Sequence, residues 1–206
     1  TDALVSSNVA NRIEFSRQLR SRCLSNDMQQ LYIAANCSGI EVRDCKISAQ
    51  DVSFFTPHIT IFSGNTCEFV GDVAFNNPVP HSGFPKEFIN NRITGNGFTG
   101  SYFITSSYDA NAPTRGVFQG NTIEATSSNR PVRIWSVDSL IIGNSILGST
   151  TTDRAIELRG SKNCVLGENI TYGDINIPDP DGGGHVVVGN KATVTGYAGG
   201  SIVESN

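Results

Sequence analysis

The sequence predicts an all-β fold, a single-stranded parallel β-helix of about eight coils. Three observations carry this prediction. First, a six-residue phrase recurs, most clearly as Phe118-Gln-Gly-Asn-Thr-Ile123, Ile141-Ile-Gly-Asn-Ser-Ile146 and Val165-Leu-Gly-Glu-Asn-Ile170. Looser copies span 23–28, 42–47, 62–67, 88–93 and 187–192, and the fourth positions advance by 19, 20, 26, 30, 23, 24 and 22 residues. Second, the third positions read Ser25, Asp44, Gly64, Asn90, Gly120, Gly143, Gly167 and Gly189. All but Ser25 are Gly, Asn or Asp, the residues that best tolerate a left-handed backbone. Third, the sixth positions are apolar throughout: Met28, Ile47, Cys67, Ile93, Ile123, Ile146, Ile170 and Ala192. A left-handed residue between two inward side chains turns one strand into the next. Repeated at fixed register, that corner stacks coils about 4.8 Å apart.

The chain then divides in order. Residues 1–11 read as an irregular lead-in, and 12–195 as the solenoid. Ile13-Glu-Phe15 alternates as a first strand, and Arg17–Arg22 reads as a short helix or a charged turn. Leu31–Ala35 and Val52–Phe55 lead the next coils. The two longest intervals imply inserted loops at 71–86 and 95–115, both rich in Gly, Pro and Asn, as surface loops are. Residues 196–206 read as an exit segment. With Thr1 first and no Met before Met28, the chain reads as a fragment, or as one whose ends partner chains cover.

Composition narrows the function classes. The formal net charge of −4 argues against broad nucleic-acid binding, which needs a basic face. No apolar run reaches membrane-spanning length. The 5 cysteines form no CxxC pair, so they read as buried free thiols, suited to assembly in a reducing cytoplasm. No nucleotide loop, metal cluster or cofactor motif is present. Asp179-Pro-Asp-Gly matches only part of a calcium loop, and His58, His81 and His185 are scattered.

On the repeat pattern and composition of roughly residues 12–195, the chain resembles right-handed parallel β-helix proteins of the pectate-lyase type. Among these it is most similar to phage tailspike and capsule depolymerase domains. No catalytic signature matches residue by residue. The resemblance implies right-handed coils, a homotrimer, a place in the virion tail or outside the cell, and binding with cleavage of a bacterial surface polysaccharide by hydrolase or lyase chemistry. A non-catalytic glycan-binding module, or a structural spacer of a virion fibre or adhesin, is the alternative.

The residues suggest where such chemistry would lie. Val132 and Ile134 stand as far before their corner as Ile156 and Leu158 do. If these four face inward, Arg133 and Trp135 face solvent on one coil, with Glu157 and Arg159 above them. Trp135 offers a ring for a sugar, and Arg133 and Arg159 offer forks for a sugar carboxylate. Glu157 is the first choice for an acid or base, with Asp179 or Asp109 as its partner. Tyr108, beside Asp109 in the inserted loop, joins the substrate-binding set. The plainer alternative is a ladder of surface ion pairs, Arg133–Glu157 included.

Overall fold

The architecture comes from a computed structural model. It describes residues 2–34, 37–50, 54–55, 59–71, 75–76, 87–96, 102–105, 116–125, 130–134, 138–147, 154–158, 162–177, 183–195 and 202–203. Among them there is no helix. The strands form three parallel sheets of ten, eight and seven strands. Successive strands go in turn to the first, second and third sheet, so the chain winds as a three-sided solenoid. Six consecutive turns, from Ile40–Arg43 to Asp174–Asn176, carry a strand on all three sides among the described residues. Partial turns extend the stack at both ends.

The corner between the first and second sheets is the one the phrase encodes. Ser25, Asp44, Gly64, Asn90, Gly120, Gly143 and Gly189 all have φ between 52° and 66°. The next residue points inward and joins a buried column of Asn26, Asn65, Asn91, Asn121, Asn144, Asn169 and Asn190. From Asn65 to Asn169 each amide donates onward to the Oδ1 of the next turn, as Asn91 Nδ2 does to Asn121 at 3.0 Å and Asn121 Nδ2 to Asn144 at 2.9 Å. Each Nδ2 also caps a carbonyl of the first sheet, such as that of Phe88 at 2.9 Å. These bonds satisfy polar groups that burial would otherwise strand.

One copy of the phrase is displaced by a residue. Glu168, not Gly167, takes the left-handed seat at φ 55°, and Asn169 enters the column. Leu166, not Val165, pairs with Ile141, and Thr171, not Ile170, pairs with Ile146. The reason is energetic. Seating Glu168 in the column would bury a carboxylate where an amide must both donate and accept, at a cost of several kcal/mol. A left-handed glutamate costs about 1–2 kcal/mol.

The core is a set of inward columns. Phe62, Phe88 and Phe118 stack with ring centroids 5.3 and 5.1 Å apart. Beside them Ala49, Phe69, Gly95 and Ala125 share one register, so a large ring sits between small neighbours. All five thiols are free and buried. A second corner, before the first sheet, repeats the device with different residues. Asp138, Asn163 and Gly184 are left-handed, and buried Ser139, Cys164 and His185 follow them. There His185 Nδ1 accepts the Cys164 N–H at 3.3 Å.

The repeat reaches further toward both ends than the phrase indicated. Leu4–Ser6 and Val9–Phe15 are already strands of the first and second sheets, and Ile202–Val203 continues the first sheet. Arg17 and Arg20 have φ of 56°, and a turn, not a helix, precedes strand Arg22–Leu24. The two longest intervals contain third-sheet strands, Phe75–Asn76 and Tyr102–Thr105.

Candidate functional site

The third sheet holds the candidate site. Strand Arg130–Ile134 lies in register with Arg154–Leu158, so Val132 faces Ile156, Arg133 faces Glu157, and Ile134 faces Leu158. Val132, Ile134, Ile156 and Leu158 are buried in the core, as alternation requires. Arg133 and Glu157 therefore occupy the opposite face. Glu157 is nevertheless fully buried, with a side chain only 1 % exposed, and does not meet solvent as its register alone implied.

Two guanidinium groups hold this carboxylate. Arg133 Nη2 donates to Oε1 at 3.0 Å, and Arg154 Nη1 lies 3.5 Å from Oε2. Arg154 is three residues before Glu157, a spacing that would put it on the opposite face of a regular strand. A β-bulge corrects this. Arg154 pairs with Asp174 but Ile156 pairs with Ile175, so Ala155 is an extra residue that rotates Arg154 onto the face of Glu157. Next in the column, Asn176 faces Glu157, and its Nδ2 donates to Thr195 Oγ1 at 2.9 Å. The Asn176 Oδ1 is buried and has no hydrogen-bond partner among the described residues.

This arrangement has a definite chemistry. With a cation on each carboxylate oxygen and no solvent access, Glu157 serves first to fix two guanidinium groups. Arg133 is mostly covered, whereas the Arg154 side chain is 35 % exposed. The accessible chemistry is thus the set of N–H donors on Arg154, held in place from beneath, which suits a planar anion such as a carboxylate.

The structure brings together two of the residues singled out in the sequence, Arg133 and Glu157. Trp135, Arg159, Tyr108, Asp109 and Asp179 lie outside the described residues. Sequence reasoning missed Arg154 and Asn176. Arg154 was hidden by the bulge, which leaves no mark in the alternation of Arg154-Ala-Ile-Glu-Leu158. Asn176 carried a signal, a polar residue between Ile175 and Ile177, but its register relative to Glu157 was not legible.

Among the described residues, no group of three or more His, Cys, Asp or Glu could hold a metal ion, and no helix is long and apolar enough to cross a membrane. In comparisons with protein-family models, curated proteins and solved structures, nothing matches this chain.

Proposed function

We propose that this chain is a tailspike-like receptor-binding module that holds an acidic bacterial surface polysaccharide along its third sheet. The observation that carries the reading is Arg154, a partly exposed guanidinium anchored by a buried carboxylate on the flank of a solenoid. An extended flank fits an extended polymer, and a fixed fork binds a uronic acid carboxylate with little loss of side-chain freedom. Trp135 and Arg159, adjacent in sequence to the inward Ile134 and Leu158, complete the proposed binding surface. The reading includes assembly as a homotrimer and a place on the virion tail or outside the cell.

Binding is the first activity of this reading and cleavage the second. Glu157 is engaged on both oxygens, which favours a positioning role over proton transfer. Cleavage would draw its acid and base from Glu157, Asp179 and Asp109, as a glycosidase or a lyase.

Titration calorimetry against acidic and neutral capsular and O-antigen polysaccharides tests the reading. Micromolar or tighter binding to an acidic polymer is expected, weakened about tenfold or more in Arg154→Ala and in Trp135→Ala. No binding to any polymer, or binding indifferent to both substitutions, would sink it. Release of reducing ends or unsaturated sugars by the wild type, lost in Asp179→Asn or Asp109→Asn, would establish cleavage.

A further inference from the structure

Two inward columns each change residue type once among the described residues, and the two exceptions touch. Along the first sheet, Val42, Phe62, Phe88, Phe118, Ile141 and Leu166 share one register, and Cys23 takes that seat on the second rung. The asparagine column passes from Asn26 to Asn65 through Cys45, whose backbone N–H donates to Asn65 Oδ1 at 2.9 Å. Both thiols are buried, and their sulfurs lie 3.8 Å apart. An amide at position 45 would accept from Asn26 Nδ2, which donates instead to Cys23 Sγ at 3.2 Å. Cys67 stands in a different column, in register with Ile47 and Ile93.

The contact joins separate rungs. Cys23 lies opposite Val42, and Cys45 comes just past the left-handed Asp44, at φ 54°. Neighbouring rungs are about 4.8 Å apart, within the backbone span that a disulfide bridges. We propose that Cys23 and Cys45 form an oxidation site, at which a small peroxide couples them into a disulfide between the second and third rungs. Burial of both sulfurs keeps out bulky disulfide reagents and selects an oxidant little larger than water.

Cys45 is the first nucleophile, because the hydrogen bond from Cys23 lowers its thiol below the ordinary 9.0. Its thiolate attacks one peroxide oxygen, and the O–O bond breaks. The departing hydroxide takes up the proton that Cys45 released and leaves as water. The Cys23 sulfur then attacks the sulfur of the Cys45 sulfenic acid. The S–S bond forms, the S–O bond breaks, and the hydroxyl leaves with the Cys23 proton as a second water. The two thiols give up two electrons, and the peroxide takes them. The new bond closes a loop between residues 22 apart in sequence, which restricts the unfolded chain and pins one rung to the next.

Peptide mapping of the folded chain after treatment with hydrogen peroxide tests this. A Cys23–Cys45 cross-link is expected, with Cys67 left reduced. The thermal midpoint is expected to rise by about 5–10 °C and to return when dithiothreitol is added. Comparing the wild type with itself before and after oxidation keeps the test independent of how well any variant folds. Cys23→Ser and Cys45→Ser are each expected to lose both the cross-link and the rise, and Cys67→Ala to keep both. All five thiols intact after prolonged treatment would overturn the proposal. So would Cys45 driven to sulfinic acid without a cross-link, a cross-link to any other cysteine, or a Cys23–Cys45 link that leaves the midpoint unmoved.

Discussion

Asn121 shows how much one side chain supports here. Its Oδ1 accepts both the backbone N–H and the Nδ2 of Asn91, and its Nδ2 donates to Phe88 O and Asn144 Oδ1. Asn121→Ala strands those buried partners, and a loss of about 3–5 kcal/mol is expected from the shift in urea midpoint. The column is interrupted once, at Cys45, where the sulfur bonds to the carbonyls of Cys23 and Arg43 in place of an amide. Cys45→Asn restores the amide and is expected to add about 1 kcal/mol in the same assay. Cys23 and Cys45 lie with sulfurs 3.8 Å apart. Cys45 is the first of the pair to ionise, because the Cys23 thiol hydrogen-bonds to it. Cys67 is the cleaner probe, since burial first, and Cys45 second, raise its thiol above the ordinary 9.0. A raised thiol contributes stability fully below 9.0 and loses it as pH rises past that value. Unfolding free energy is expected to fall with pH above that point, more shallowly in Cys67→Ala, by up to about 1.4 kcal/mol per pH unit. The phrase that revealed the corner also misled at one copy. Two registers of Val165-Leu-Gly-Glu-Asn-Ile170 satisfy the pattern, and the choice rests on which residue the buried column tolerates, a tertiary demand that local pattern does not contain.

At the level of strands, alternation correctly assigned the faces of Val132–Ile134 and Ile156–Leu158, and with them the Arg133–Glu157 pair. Alternation says which way a side chain points, not whether more chain lies over it, so the burial of Glu157 was not legible. The bulge at Ala155 was hidden for a related reason, because it is defined only by pairing with Asp174–Asn176. These features set the expected energetics. Glu157→Gln leaves Arg133 without its counter-charge in a covered site, and a loss of about 3 kcal/mol in denaturant titration is expected. Arg133→Met/Glu157→Leu removes both charges and is expected to regain most of that loss. Recovery confined to Arg133→Lys/Glu157→Asp would instead mark the pair as required for the fold. In the first sheet, Phe88 stacks on both Phe62 and Phe118. Phe88→Ala empties the middle of that stack, and a loss of about 3–5 kcal/mol is expected.

Across the whole molecule, the architecture was the most legible property, because a repeated corner writes itself into sequence at every turn. The third sheet was the least legible: its strands lack a fixed phrase, and Phe75–Asn76 and Tyr102–Thr105 were hidden inside intervals that read as loops. Long-range parallel pairing dominates every sheet, so folding is expected to be slow, with refolding after denaturant dilution on the timescale of seconds or longer. Neighbouring asparagines are separated by 26, 30, 23, 25 and 21 residues along the chain. Their contacts stay between 2.8 and 3.0 Å all the same. The spine keeps constant spacing whatever the length of chain between its members. A protein engineer can therefore change the length of an interval without changing the spacing of the interior.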